Sequence, residues 1–520
     1  MLSPEYLEQL PTAMVQLFGQ LEEDIIIDMA RRIAKTGTLT DTAEYQAYRL
    51  QELGAQRRYV MQRLSRITGK AKEELNAIFA DAARTTLAYD NELFEQAGYS
   101  PAPLDENAQL QQLVRAYRKQ TSELFFNLTQ TTARTASKQF ERALDRAAMQ
   151  VTSGAFSYQQ AIRTAVKSLA AKGVDTIVYR KNGHITQVTS TEVAVRRAVL
   201  TGVNQMASHV QLANAEQLGC DLVQVTAHGG ARPEHAEWQG GIYSISGKHP
   251  KYKKLSTATV YGTGDGLCGW NCRHNFFPFF EGLSEPANTA KQLWDMEHAT
   301  VTYNGQKMPL YEATQRQREI ERNIRRWKRE YLAMEAAGQD TTEAAVKLKK
   351  WRTIQADFCD KAGLRVDGFR GQVQDFGRSA ASKATWGAKP FARFLKENTA
   401  SGLNDLLPNY KEAVISSAKL SGYALNPEHP KGKDKAVAFR DALGYTIENE
   451  SNLIAAIRSG LFKWKAIERS ATQYGRRFEV KMLLRGPNGK QAAVKTAWQI
   501  DYGTEIPRLV SAYVYKDKGE

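Results

Sequence analysis

Apolar residues recur every three to four positions through most of the first 215 residues, the spacing that puts one greasy stripe along a helix. In EDIIIDMARRIAKTG the stripe is Ile25, Ile26, Met29 and Ile33, and Gly37 supplies a stop. A breaker-poor run from about residue 42 to 94 predicts a very long helix. Pro101 and Pro103 interrupt it, and a third helical run follows from about Glu106 to Met149. Further helices are predicted to begin near Tyr158 and at Ser190, the last reaching about Leu218. Residues 1–215 therefore read as a mostly helical region.

The period changes at Asp221. Asp221–Thr226 alternates like a strand and opens a stretch dense in glycine and aromatic residues, ending near Gly282. Residues 216–285 read as a small Gly/Cys/His-rich α+β core. Helical spacing resumes beyond it. Residues 315–352 predict a helical hairpin turning at Gly338, with eleven Lys/Arg against six Asp/Glu; it reads as a solvated face or as a surface for DNA phosphates. The weakly periodic stretch 360–412 reads as a linker with short helices, closing a segment of 286–412. Residues 413–520 have another grammar. Helical patterns at 434–443 and 451–459 precede a strand at 477–485 with Phe478, Val480, Met482 and Leu484 on one face. The turn signal Gly486-Pro487-Asn488-Gly489 follows, then a strand with Val494, Thr496, Trp498 and Ile500 on one face, and a third from Leu509 to Tyr515. The expected class is α+β and multidomain: a helical N-terminal region, the small core, and a C-terminal domain with an antiparallel sheet.

Composition adjusts this picture. The 520 residues exceed what one core supports. A formal net charge of +15 favours polyanionic partners: nucleic acid through non-specific electrostatics, since duplex DNA carries one negative charge per roughly 1.7 Å of axis, an acidic surface, or a highly negative assembly. No groove-reading motif is visible. No window approaches a membrane span, and the N-terminus has no signal-peptide pattern. Four irregularly spaced cysteines make no disulfide framework, which suggests synthesis in a reducing cytoplasm.

Four of the eight histidines and two of the four cysteines fall between His228 and Gly282. Cys268, Cys272 and His274, with His228 and His235 upstream, are candidate ligands for a structural zinc ion, because thiolate and imidazole are the donors zinc prefers. The Cys-x3-Cys-x-His spacing is not the usual Cys-x2-Cys half-site. The alternative is no cofactor: a glycine-dependent fold with Trp238, Trp270, Phe276 and Phe279 as its core and the histidines bonded to backbone. For catalysis by Cys or His, the sequence presents no oriented nucleophile–base pair.

The runs ARPEHAEWQG and YGTGDGLCGWNCRH and the closing PFFEG resemble the phage minor capsid protein 2 family, within the wider group of Mu F-like head morphogenesis proteins. The resemblance covers roughly residues 1–285 and is specific in the core. It implies a phage or prophage head protein, present in few copies beside the portal and other capsid proteins, acting in head assembly or genome delivery and residing in the virion after synthesis in the host cytoplasm. It implies no enzymatic role for the core.

Residues 416–515, through LSGYALNPEHPKGKDKAVAFRDALGY, YGRRFEVKMLLRGPNGK and PRLVSAYVY, resemble a small uncharacterised domain found alone in bacteria and at the ends of Mu F-like proteins. Such extensions are often toxin-like. Helices followed by an antiparallel sheet are also similar to the barnase/EndoU/colicin/RelE group of RNases. A metal-independent RNase needs a proton acceptor, a proton donor and cations for the developing charge. His429 fits one proton role and Glu428 or Tyr474 the other, with Lys431, Lys433, Lys490 and Arg508 for the phosphate. The alternative is a rigid turn shaped by Pro427 and Pro430, with solvent-exposed lysines, in a binding or docking module.

Overall fold

Long helices set the frame, because the chain from Thr12 to Gln217 has few breakers and one apolar stripe per helix. The computed structural model describes residues 1–35, 42–153, 157–181, 184–488 and 490–515. Helices α1 (Pro4–Gln9), α2 (Thr12–Lys35), α3 (Thr42–Gln96) and α4 (Ala108–Thr152) come first. Asn107 caps α4 by accepting from the Leu110 amide at 3.2 Å. Helix α5 (Tyr158–Lys172) follows a Ser157/Gln160 capping box. Strands β1 (Asp175–Lys181) and β2 (His184–Ser190) pair antiparallel and lead into α6 (Thr191–Gln217). That hairpin is the one unpredicted break among the described residues of a region that is otherwise mostly helical, as expected. Ile177-Val178-Tyr179 is a β-branched and aromatic run, and residues 182–183, at its turn, lie outside the described ones. Helices α2 to α6 share one apolar core that includes Phe18, Ile25, Phe79, Phe140 and Val203.

The small core comprises β3 (Leu222–Val225), α7 (Pro233–Ala236), β4 (Ile242–Ser244), α8 (Leu255–Ala258) and β5 (Phe276–Pro278). Its sheet order is β4-β3-β5, antiparallel throughout. Central β3 is buried along its whole length. Of the four aromatics expected inside, Trp238, Phe276 and Phe279 are buried, whereas Trp270 is 53% exposed. Trp270 lies instead across the Gly264 backbone, where an added Cβ would come within 2.7 Å of its ring.

Beyond the core run α9 (Ala290–Glu297), the hairpin β6 (Thr300–Tyr303) and β7 (Gln306–Pro309), α10 (Leu310–Ala336), α11 (Thr342–Ala362) and α12 (Arg378–Asn398). Helices α10 and α11 form a hairpin, and Gly338 turns it with φ +64°. Part of their basic face is engaged within the body, while Arg322, Arg326, Lys347, Lys349 and Lys350 are exposed. Arg325 bonds Glu192, Arg329 bonds Glu22 at 3.1 Å, and Lys328 is buried. Within 360–412, where short helices are expected, α12 runs unbroken for 21 residues, joined to the α10/α11 core by Ala384 and Ala388.

The C-terminal unit holds α13 (Lys433–Leu443) and α14 (Glu450–Leu461) against the four-stranded antiparallel sheet β11-β10-β9-β8. These strands are β8 (Ala466–Thr472), β9 (Gly475–Arg485), β10 (Gln491–Asp501) and β11 (Arg508–Val514). Phe478, Val480, Met482 and Leu484 of β9, with Val494, Trp498 and Ile500 of β10, form an apolar core separate from that of the body. Gly489 of the connecting turn lies outside the described residues. The overall class is α+β, and among the described residues no helix is long and apolar enough to cross a membrane.

Candidate functional site

The glycine-rich loop after α8 dictates how the cysteines and histidines meet. An added Cβ at Gly266 would lie 2.0 Å from the Val260 carbonyl oxygen, and one at Gly269 would lie 2.3 Å from that of Gly264. Only glycine lets these strands of backbone touch. The tight path drives Val260, Cys268 and Asn271 to left-handed φ values of 52°, 57° and 54°. Such positions cost about 1 kcal/mol or more each and persist where the surroundings over-determine them. Here the amides of Leu267 and Trp270 anchor the loop on Thr259 and Gly264. From α6, Asn204 donates to the carbonyls of Cys272 and His274 at 3.2 and 2.9 Å, and its own Oδ1 accepts from Asn275 at 2.9 Å.

This scaffold brings three of the five predicted ligands together. His235, Cys272 and His274 are all buried, and each offers a donor atom within 4.8 Å of the others. Cys272 Sγ lies 3.7 Å from His235 Nδ1 and 3.6 Å from His274 Nδ1. The tautomers follow from the partners. His235 Nε2 meets the Asp265 carbonyl at 2.8 Å, which can only accept, so Nε2 carries the proton and Nδ1 keeps its lone pair. Gln239 Oε1 accepts from the His228 amide at 3.0 Å and is therefore the oxygen; it also accepts from His274 Nε2 at 3.1 Å, which leaves that Nδ1 a lone pair as well. Two imidazole lone pairs thus converge on one sulfur.

The other two predicted ligands stand aside. Cys268 Sγ is directed to the His274 carbonyl at 3.7 Å. His228 stacks on His274 with ring centroids 4.5 Å apart, and its Nδ1 faces Gly229 O and Arg273. Burial, with the Arg273 charge beside it, pushes His228 down to about 4. Burial likewise lowers His235 and His274 and raises the Cys272 thiol to about 11, so the cluster is neutral near pH 7.

His228, His235, Cys272 and His274 line one wall of a cavity of about 320 Å³ whose other walls are strongly basic. Seven arginines and three glutamates line it. Glu8 of α1 is the hub. It pairs with Arg196 of α6 at 2.8 Å, with Arg273 of the loop at 3.0 Å, and with Arg370. Burial alone would raise its carboxyl, but Arg196, Arg273, Arg370 and Arg318 outweigh burial and hold it at about 2. The same crowding, after burial, lowers Arg318 to about 10. Sequence reading missed this hub and Gln239. A periodic signal did exist on α10, where Arg318, Arg322 and Arg325 follow helical spacing toward one face.

In the C-terminal unit the predicted residues are dispersed. The His429 ring lies edge-on to Tyr423 at 4.9 Å, and its Nδ1 accepts from the Lys431 amide at 3.2 Å. Glu428 is exposed, and its amide donates to Asn426 Oδ1. Lys431 and Lys433 are both exposed. Tyr474 is 63% exposed on the β8–β9 turn, and Arg508 forks onto Asp501 at 2.6 and 2.9 Å. Lys490 follows the β9–β10 turn, at the opposite end of β9 from Tyr474.

Comparison with known proteins divides the chain the same way. The phage minor capsid protein 2 family matches residues 2–360, beyond the core and through the α10/α11 hairpin. A domain of unknown function, DUF6883, matches residues 406–516. A protein of Lactococcus phage LL-H described as "Structural protein" is 26% identical over 286 residues, covering 53% of this chain and 72% of its own length. A "Structural protein" of Lactococcus phage mv4 is 35% identical over 96 residues, 18% of this chain and 68% of its own length. No solved structure matches.

Proposed function

Because this chain belongs to the phage minor capsid protein 2 family, a family of virion structural proteins, we propose that it sits next to the portal and acts in head assembly or in packaging and delivery of the genome. The observation that carries this reading is the extent of the match. It spans the helical bundle, the small core and the hairpin together, elements joined by the Glu8 pairs with Arg196 and Arg273 and by the pairs of Arg325 with Glu192 and Arg329 with Glu22. Membership makes other virion proteins its partners. The charge of +15 supports a position beside packaged DNA, where cationic side chains reduce repulsion between phosphates. Deleting the gene from the producing phage tests the reading. Heads should be absent or non-infectious, and the protein should co-purify with wild-type heads in fewer copies than the major shell protein. Normal yields of infectious particles without it would end the proposal.

The C-terminal unit supports a second reading because its core is its own. Helices precede an antiparallel sheet, and residues 415–520 carry eighteen Lys/Arg against eleven Asp/Glu. On this reading the unit is an RNase-type effector that uses His429 in proton transfer. Expression of residues 410–520 should then be toxic and deplete RNA, and His429→Ala should abolish both effects. A harmless fragment with intact cellular RNA leaves a docking module as the reading.

A further inference from the structure

We propose that His235, Cys272 and His274 hold one divalent transition-metal ion of the zinc class, with its fourth coordination position open to the arginine-lined cavity. The spacing of the donors carries the assignment. Zn–S near 2.3 Å and Zn–N near 2.0–2.1 Å at a tetrahedral angle put sulfur and nitrogen about 3.6 Å apart. The two sulfur–nitrogen separations are 3.7 and 3.6 Å.

The outer contacts support the same assignment. Ligating imidazoles characteristically donate their second N–H to a carbonyl or carboxylate, which fixes the ring and aims the other nitrogen. Both imidazoles do so here, to Asp265 O and to Gln239 Oε1. A set of two imidazoles and one thiol selects a borderline-soft ion over magnesium or calcium. On binding, the Cys272 thiol releases its proton to solvent and the sulfur takes the metal in its place.

The arginines at first argue against a cation. Ionised Cys272 offsets one of the two charges, and the remaining field favours an anion in the fourth position over a fourth protein ligand. Cys268, the nearest alternative, is turned to the His274 carbonyl. The arrangement is thus three protein ligands and an exchangeable anion or water, the pattern of an open site.

The full-length protein, purified without chelator, should contain about one zinc per chain by elemental analysis. Less than about a tenth of an equivalent after zinc incubation and desalting overturns the proposal. Cys272→Ser should lose the metal while Cys268→Ser and His228→Gln retain it; loss in a folded Cys268→Ser protein overturns the three-residue set. If Cys272→Ser does not fold, the cobalt-substituted wild type decides. A thiolate-to-cobalt charge-transfer band with tetrahedral visible bands supports the site, and octahedral bands without charge transfer overturn it. Adding inorganic phosphate should shift the visible bands, and unchanged bands would refute the open fourth position.

Discussion

The body and the C-terminal unit of this protein place their polar groups in opposite ways. In the body, several charges lie partly or wholly inside and join elements distant in sequence. Glu8 meets Arg196, Arg273 and Arg370, Glu22 meets Arg329, and Glu23 accepts from the backbone of residues 374 and 375. In the C-terminal unit the interior is apolar around Trp498, Phe439 and Met482. The buried indole N–H of Trp498 is satisfied locally by Thr496 at 2.8 Å. Of its ion pairs, Arg476–Glu468 lies on the sheet surface, Glu479 is shared between Arg469 and Lys495 across neighbouring strands, and Arg485 reaches Glu343 of α11. The histidines follow suit. His274 is 1% exposed, with both ring nitrogens facing partners, whereas His429 stands on a proline-flanked turn beside a tyrosine. Convergence of buried donors makes a site; residue types alone do not.

The hub at Glu8 is where this contrast is easiest to break. Glu8→Ala leaves Arg196 and Arg273 without their carboxylate and Arg370 with Asp367 alone; because these side chains are 17–26% exposed, the loss should be about 3 kcal/mol, the lower end of what a fully buried network loses. Calorimetry should show the body melting earlier and the C-terminal transition unmoved. Because the Glu8 carboxyl is held at about 2, its contribution is complete above the ordinary carboxylate range and is lost as pH falls from about 4.5 toward 2. A loss below about 1 kcal/mol would mean that solvent screens the cluster and the two regions are alike.

Gln239→Leu is a smaller break at the Cys/His cluster. The amide oxygen serves both the His228 amide and His274 Nε2, so its removal leaves two buried donors unmet. Each costs about 1–2 kcal/mol, giving an expected loss of roughly 2–4 kcal/mol in urea unfolding of the body. An unchanged midpoint would show that the two histidines find other acceptors.

A pH dependence sharpens the contrast further. Burial raises Glu23 to about 8, against the opposing pull of the Asp375 and Gln374 amides. The folded body therefore binds a proton here that the unfolded chain has released. The contribution of Glu23 to stability is fully present below about pH 4.5 and is lost as pH rises toward 8. Glu23→Gln should remove on the order of 1–2 kcal/mol of the difference between pH 5 and pH 8, read as the change in the wild-type-minus-variant gap. A gap that does not change with pH would show that Glu23 is ionised throughout.

Much of this was legible in the chain. The stripes of α2 and α6, strand β3 and the inward faces of β9 and β10 follow from period alone. Strand β8 was not, because AIERSAT is mostly exposed and offers no alternation to read. The β1–β2 hairpin hid between two strong helices. At the site, His235, Cys272 and His274 stood out by residue type, whereas Glu8 met Arg273 and Arg370 across 265 and 362 positions. No local pattern reports a contact at that range. Gln239 was hidden for another reason: a glutamine beside a tryptophan looks like any surface amide until its oxygen is seen to accept twice.

The smallest expected effect tests the other side of the contrast. Arg476 forks onto Glu468 at 2.8 and 3.1 Å across neighbouring strands, a good geometry, yet both side chains are half exposed. Water already solvates the two charges, so pairing gains little and costs rotamer freedom. Arg476→Ala should shift the C-terminal transition by less than about 1 kcal/mol, and added salt should shrink the shift further. The guanidinium also lies over the Phe478 ring at 5.1 Å, so Arg476→Lys separates lost packing from lost charge. A loss rivalling that of Glu8→Ala would mean that the sheet surface holds its charges as tightly as the body holds its interior.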